Sequence, residues 1–169
     1  MSTSDSAPGV LSQEDYQRFQ TLVQERCGIH LTPRKRTLLS GRLARLMSQG
    51  GYGSAQELYD DLKKGGSQQK LQQFANSVTT NYTYFNREAQ HFEHHLNVGL
   101  PEITTQLKGQ GSQDLRVWCA AASSGEEPYT LAMLQREHLG TTYPAWTAGV
   151  LATDISEDAL GRARAGYYP

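Results

Sequence analysis

Cysteine is scarce in this chain: only Cys27 and Cys119 occur among its 169 residues. Cys119 stands inside a predicted buried strand, which argues against a disulfide framework and favours a cytoplasmic protein. An excess of one charge is also missing, because 16 basic and 17 acidic residues leave a net charge of −1. This balance argues against a nucleic-acid or membrane-surface protein. No apolar run approaches the length of a membrane span and no secretory signal is visible, so we expect no direct membrane insertion.

A strand, a turn of small residues and a helix follow one another in the stretch LRVWCAAASSGEEPY, residues 115–129. Its apolar start predicts a short buried strand, and the small residues 120–125 allow a ligand to approach the backbone closely. Two glutamates and a proline at 126–128 indicate the first turn of a helix. Such a unit opens nucleotide-binding α/β domains, but the lone Gly125 does not satisfy the dinucleotide fingerprint. The pattern alone leaves open a nucleotide-like ligand or a plain strand–helix core unit.

A second strand–helix unit follows, because VLATD at 150–154 predicts an apolar strand and Ser156 begins a helix pattern. The acid at the strand's end, Asp154, stands where such folds hold ribose hydroxyls. A complete domain of this type needs several more strands, so two strands would leave apolar sheet faces and an unpaired edge exposed. We therefore expect poor stability as a monomer, or self-association through pairing and strand exchange with a second copy.

The first eighty residues carry helix signals and no strand signal. Residues 1–10 are rich in serine and predict a disordered tail, followed by a helical domain over residues 11–79. Ser12 and Ser54 begin capping-box patterns, and Thr32 before Pro33 predicts a capped helix start. Apolar side chains at helical spacing predict the buried faces of four helices: Tyr16, Phe19, Leu22, Val23, Leu39, Leu43, Leu46, Met47, Leu58, Tyr59, Leu62, Leu71, Phe74, Ala75 and Val78.

Basic residues accompany the apolar stripe of the predicted second helix. At about 100° per residue they fall on one adjacent face. This basic band consists of Arg34, Lys35, Arg42 and Arg45. It fits either a solvated surface or a docking surface for an acidic partner.

The segment 78–88 (VTTNYTYFNRE) is polar, aromatic and β-branched, with no clear helical period. It predicts either a connecting loop or a binding wall in which Asn81, Thr83 and Arg87 supply oriented polar groups. A helix is predicted from Glu88 onward, with a break or a new start at residues 100–101.

Three histidines fall on this helix, His91, His94 and His95. Histidines one turn apart can share a metal, but no cysteine or carboxylate obviously completes a site. We therefore expect surface or packing histidines and no metal.

Three stretches of the chain resemble the CheR-type chemoreceptor protein-glutamate methyltransferases, which use S-adenosylmethionine. They are TTNYTYFNRE (79–88), RVWCAAASSGEEPY (116–129), and ATDIS (152–156) followed by ARAGY (163–167); GIHL (28–31) and GRL (41–43) extend the match into the helical region. The resemblance covers nearly all of the chain after about residue 10. It implies an N-terminal all-α helical domain, then a linker and the first half of a Rossmann-like methyltransferase domain over residues 80–169. Against this family the chain is C-terminally truncated.

The resemblance also implies an activity: methyl transfer from S-adenosylmethionine to glutamate carboxylates of methyl-accepting chemotaxis receptors, with S-adenosylhomocysteine as the product. A glutamate is ionised at neutral pH, with an ordinary pKa of about 4.3, so it can attack the methyl group without a general base. Positioning and exclusion of water would be the enzyme's contribution. The basic band would dock the acidic methylation region of the receptor.

Family positions that line the cofactor site fall on Asn81, Thr83, Arg87, Glu127 and Asp154. Asp154 would hold the ribose hydroxyls, and Glu127, with Glu126 as the less favoured alternative, would face the methionine ammonium. Arg87 would pair with a carboxylate of the cofactor or of the substrate, which makes it the expected catalytic residue. Asn81 and Thr83 would complete the hydrogen bonding at the methionine end.

Two other classes of function stay open from the sequence. One is a receptor- or cofactor-binding module without turnover, since later strands of the family's fold are missing. A nucleotide-linked oxidoreductase would share the same opening unit, but the lone Gly125 and the segment 79–88 argue against it. Whether these 169 residues are catalytically competent alone is not decided by the sequence.

Overall fold

The computed structural model describes residues 11–65 and 67–168. They separate into two compact units, one up to Thr80 and one from Asn81 onward. The predicted tail over residues 1–10 lies outside the described residues. Within the described ranges, no helix is long and apolar enough to cross a membrane.

The first unit consists of α-helices. Their bounds are α1 Gln13–Cys27, α2 Arg36–Gly50, α3 Ala55–Lys63 and α4 Gln68–Val78. The predicted starts at Ser12 and Ser54 are confirmed, because each serine hydroxyl accepts a backbone N–H of the first turn, at 3.0 and 3.2 Å. Ser67 caps α4 in the same way at 3.3 Å. Such caps satisfy amide groups that have no partner within the helix.

The predicted start of the second helix is wrong in detail. Thr32 makes no side-chain cap bond, and a short 3₁₀ turn, Pro33–Lys35, precedes α2. The backbone carbonyl of Thr32 is used instead: it accepts the amide of Lys35 at 2.8 Å and the hydroxyl of Tyr16 at 2.7 Å. Since Arg34 and Lys35 lie in this turn, the basic band is not a single face of one α-helix.

One apolar core holds the four helices together. Every side chain predicted for the buried faces, apart from Ala75, belongs to this core or packs against it. Phe19 lies at its centre, edge-on to Tyr59 at 5.5 Å between ring centroids and 6.4 Å from Phe74. Aromatic rings bury large apolar areas, and burial of apolar area drives the packing of the unit.

The second unit is an α/β arrangement. Its elements are α5 Ala89–His94, α6 Leu100–Gly109, β1 Asp114–Ala120, α7 Glu126–Leu139, β2 Thr147–Thr153 and α8 Glu157–Ala165. A π-helical turn, His95–Gly99, links α5 to α6, and the backbone stays helical from His94 through Leu100. The break predicted at residues 100–101 is therefore absent. The strands are parallel, with Leu115 opposite Ala148 and Cys119 opposite Ala152. β2 begins three residues earlier than predicted and ends just before Asp154.

The two faces of the sheet differ. Leu115, Val117 and Cys119 point to one face and belong to apolar clusters with the helices. On the other face Trp118 lies opposite Leu151, and they are 68% and 63% exposed. An exposed apolar sheet face was expected for two parallel strands, whereas self-association stays a prediction.

Candidate functional site

The turn after β1 is held in an unusual backbone conformation. Ala121, Ser123 and Gly125 have φ of 61°, 49° and 104°. Left-handed φ is unfavourable for alanine and serine, so the surrounding contacts must fix this turn. At Gly125 a Cβ atom would also collide with Ala163 and with the hydroxyl of Tyr168. The lone glycine of the sequence pattern is therefore required both by its φ and by the lack of space.

Asp154 lies at the carboxyl edge of the sheet and is half-buried. One carboxylate oxygen accepts the backbone N–H of Ser123 at 2.8 Å, and the other accepts that of Ser156 at 2.8 Å. An ionised carboxylate has about four acceptor positions. Asp154 can therefore accept further hydrogen bonds from a ligand while it keeps both backbone contacts.

Asn81 is brought to the same place. Its amide nitrogen donates to the hydroxyl of Ser156 at 3.0 Å, and its backbone carbonyl accepts the hydroxyl of Ser123 at 2.9 Å. The fully buried Ser156 also caps α8, accepting the amide of Ala159 at 3.3 Å. Three segments that are distant in sequence therefore meet around Asp154.

Glu127 and Asp154 both act on the thiol of Cys119, at the end of β1. The pKa of Cys119 is raised to about 12, first by burial, then by the charge and hydrogen bond of Glu127, and also by the charge of Asp154. Glu126 is engaged elsewhere, since its carboxylate accepts the hydroxyl of Ser124 at 2.7 Å. The two predicted acids therefore converge at the carboxyl edge of the sheet, and Glu127 rather than Glu126 is the acid beside Cys119.

Arg87 and Thr83 are not joined to this group by a hydrogen bond in the described part of the chain. Arg87 is exposed and donates to the backbone carbonyl of Tyr82 at 2.8 Å, while Thr83 is half-buried. The exposed rings of Tyr82 and Tyr84 lie 5.9 Å apart. The contacts of Arg87 and Thr83 with a ligand stay predictions.

Three residues that support the site were not predicted as site residues: Ser123, Ser156 and Tyr168. The hydroxyl of Tyr168 donates to the carbonyl of Ser124 at 2.7 Å, and its ring packs against Phe85 at 4.9 Å and Tyr129 at 5.7 Å. Burial is the first cause of the raised pKa of Tyr168. In the sequence, Ser156 carried a signal as the start of a helix and Ser123 only as one of the small residues of the turn, whereas Tyr168 carried none.

The predicted histidines occupy separate environments. His91 is exposed and its Nδ1 lies 3.2 Å from the carboxylate of Glu88. The pKa of His95 is lowered, first by burial and then by the nearby His138 and His94. Among residues 11–65 and 67–168, no three His, Cys, Asp or Glu side chains are grouped so as to hold a metal ion.

Parallel strands, a tight turn of small residues and an acid after the second strand define a Rossmann-like nucleotide-binding unit. Its acceptor groups suit S-adenosylmethionine, because the carboxylates of Asp154 and Glu127 can accept hydrogen bonds from ribose hydroxyls and an ammonium group. The chain belongs to the CheR methyltransferase family. Residues 81–169 match the model of its SAM binding domain, and residues 14–79 match the model of its all-alpha domain.

This match confirms the predicted fold class and S-adenosylmethionine as the cofactor. It also argues against the oxidoreductase alternative. The chain is 34% identical to the chemotaxis protein methyltransferase of Borreliella burgdorferi and 37% identical to that of Escherichia coli, over 94% of its length in both cases. It is 38% identical to chemotaxis protein methyltransferase 1 of Pseudomonas aeruginosa over 91% of its length. The matches cover 56%, 51% and 56% of these relatives, so the chain spans about half of their length.

Proposed function

We propose that this chain takes part in methyl transfer from S-adenosylmethionine to glutamate side chains of methyl-accepting chemotaxis receptors, which gives glutamate methyl esters and S-adenosylhomocysteine. The position of Asp154 at the carboxyl edge of the sheet, where backbone N–H groups hold both of its oxygens, carries the proposal. Glu127, the acid beside Cys119, supports it. The names of the relatives support it, because all three are chemotaxis protein methyltransferases.

The chain's own residues would bind and orient the cofactor. When bound, S-adenosylmethionine supplies a methyl group that is already activated on a positively charged sulfur. Asp154 would accept the ribose hydroxyls, and Glu127 would pair with the ammonium group. Arg87, whose guanidinium is exposed, would hold a carboxylate of the cofactor or the substrate through paired hydrogen bonds. Asn81 and Thr83 would stand at the methionine end.

The substrate would need little activation. A glutamate carboxylate is ionised at neutral pH, so the protein's task is to bring it into line and to exclude water. Arg34, Lys35 and Arg45 are exposed and would dock an acidic receptor segment. Arg42 is already engaged, because it donates to the carbonyl of Val78 at 2.6 Å and the hydroxyl of Thr80 at 2.8 Å. The receptor partner and the cytoplasmic location stay predictions.

Titration calorimetry of S-adenosylmethionine and S-adenosylhomocysteine into the whole chain tests the proposed site. We expect binding that is lost in Asp154→Ala and kept in Asp158→Ala, an exposed acid in the first turn of α8. Folding of each variant is checked by circular dichroism. Equal binding by the wild type and Asp154→Ala would contradict the assignment of Asp154.

The second function left open by the sequence is receptor or cofactor binding without turnover. Transfer of a labelled methyl group to a purified receptor's cytoplasmic region separates the two. Label that enters wild-type reactions as a base-labile ester, and stays absent with Asp154→Ala, would support the enzyme. Binding of the cofactor with no transfer would support the binding module.

A further inference from the structure

We propose that Asn81, Ser123 and Ser156 are positioning residues that fix the orientation of the Asp154 carboxylate. This inference rests on the proposed function, since Asp154 is the group proposed to hold the ribose hydroxyls. Ser123 and Ser156 would act only through Asp154. Asn81, expected from the sequence to contact the cofactor, would use its amide to hold Ser156.

The hydrogen bonds around Asp154 form a closed ring. The amide of Asn81 donates to Ser156 Oγ at 3.0 Å, and the backbone N–H of Ser156 donates to one Asp154 oxygen at 2.8 Å. The backbone N–H of Ser123 donates to the other Asp154 oxygen at 2.8 Å. The hydroxyl of Ser123 donates to the carbonyl of Asn81 at 2.9 Å, which closes the ring. Each member of the ring therefore fixes the next one.

Both carboxylate oxygens are held, each by a donor from a different loop. A single contact would let the carboxylate turn about its terminal bond, whereas two contacts on opposite oxygens fix its plane. The positions of the two donors depend in turn on the serine side chains. Ser156 is fully buried and Ser123 is 8% exposed, so water does not compete for these bonds.

The backbone of Ser123 supports the same interpretation. A serine with φ of 49° is strained and persists only where its surroundings over-determine it. Its amide then points at Asp154 while its hydroxyl holds Asn81. Strain of this kind is expected where the chain holds a group in one orientation for a ligand.

A purely structural role of Ser156 would have different consequences for ligand binding. Ser156 caps α8, so its loss could lower stability without any effect on ribose recognition. The two roles separate when binding is measured with two ligands: S-adenosylhomocysteine, and its analogue in which both ribose hydroxyls are replaced by hydrogen. Only a positioning role makes the effect of the serine depend on those hydroxyls.

Calorimetry with both ligands is carried out on the whole chain and on Ser156→Ala. We expect Ser156→Ala to weaken S-adenosylhomocysteine by about tenfold, since a contact to a charged group loses its alignment. Binding of the analogue should be unchanged by this substitution. Ser156→Thr keeps the hydroxyl and should restore most of the affinity.

Ser67→Ala is the matched control, because Ser67 caps α4 at the same 3.3 Å that Ser156 uses on α8. It should leave the affinity for both ligands unchanged. Ser123→Ala is a second variant, which removes the contact to Asn81 but keeps the backbone N–H that faces Asp154. It should also weaken S-adenosylhomocysteine and not the analogue.

The outcomes distinguish the two proposals. If Asp154→Ala abolishes binding but Ser156→Ala and Ser123→Ala leave it unchanged, the positioning inference is overturned and the proposed site stands. Equal weakening of both ligands by the serine variants would also overturn it, in favour of a structural cap. No binding by the folded wild type, or full binding by Asp154→Ala, would overturn both proposals.

Discussion

The two units of this chain bury their apolar residues to different degrees. In the helical unit, Phe19 and Phe74 are each 1% exposed and share one core with all four helices. In the α/β unit the buried residues form two smaller clusters, and Trp118 and Leu151 remain on an open sheet face. Parallel sheets are normally covered on both faces. The helical unit therefore has the more completely buried apolar core of the two.

The hydrogen bonds of the serines are local in the helical unit and long-range in the α/β unit. The helical unit uses its serines mainly for local helix caps, at Ser12, Ser54 and Ser67. In the α/β unit, Ser123 and Ser156 instead contact Asn81, which lies 42 and 75 positions away in the sequence, respectively. Local caps stabilise elements, whereas long-range polar contacts fix the geometry of a site.

The largest expected effect tests the difference in burial between the core of the helical unit and the exposed sheet face. Phe74→Ala should lower the free energy of unfolding by about 3–5 kcal/mol, because it leaves a cavity in a closed core. Trp118→Ala should change it by no more than about 1 kcal/mol, since most of that side chain is already in contact with water. Urea unfolding followed by circular dichroism measures both. An equally large loss in Trp118→Ala would show that its face is covered in solution, as self-association would require.

The helical unit was largely predictable because its signals are local. Apolar spacing and two serine caps can be recognised within a single turn of helix, and the positions at Ser12 and Ser54 were predicted correctly. The helix cap predicted at Thr32 was wrong, because the contacts of this residue differ from those of a helix start. Its carbonyl is taken by Tyr16, sixteen residues away, and the turn after it tightens into a 3₁₀ helix.

The basic band illustrates why a helical wheel does not separate structural from exposed charges. Arg42→Ala should destabilise the helical unit by about 1–2 kcal/mol, because two hydrogen bonds from a charged donor to the end of α4 and the residues after it are lost. Burial also lowers the pKa of Arg42. Arg45→Ala should be nearly neutral, because Arg45 is exposed.

Unfolding in urea compares the two arginine variants, and receptor binding in low and high salt then measures their effect on docking. We expect Arg45→Ala to weaken binding and its salt dependence without a loss of stability. Loss of stability in Arg45→Ala, or none in Arg42→Ala, would contradict the division of roles within the basic band.

The site itself was predictable only in part. Asp154 was indicated by the end of a strand, whereas Glu127 was expected at the site only from the family resemblance. The structure brings both to the carboxyl edge of the sheet. Ser123 could not be recognised, because its role depends on a left-handed backbone and on Asn81, 42 positions away. Contacts of that range are set by the tertiary fold and leave no periodic signal in the sequence.

The smallest expected effect concerns pH, and it should again separate the units. The pKa of His95 is lowered from 6.5, first by burial, so the unfolded chain takes up its proton before the folded chain does. The α/β unit should therefore lose stability as the pH falls below about 6.5. In the helical unit, hydrogen bonds from Lys70 and then Tyr52 lower the pKa of Asp61 from 3.8. Its stabilising contribution is present above about pH 4 and is lost only in stronger acid.

Tryptophan fluorescence isolates the α/β unit, because both tryptophans, Trp118 and Trp146, belong to it. The urea midpoint of the wild type should be lower at about pH 5.5 than at about pH 7.5. This difference should be smaller in His95→Gln. His91→Gln is the matched control, since His91 is exposed and should leave the pH dependence unchanged. A wild-type midpoint that does not change over this range would show that His95 stays neutral in both states. The same fall in all three proteins would instead assign the acid sensitivity to another group.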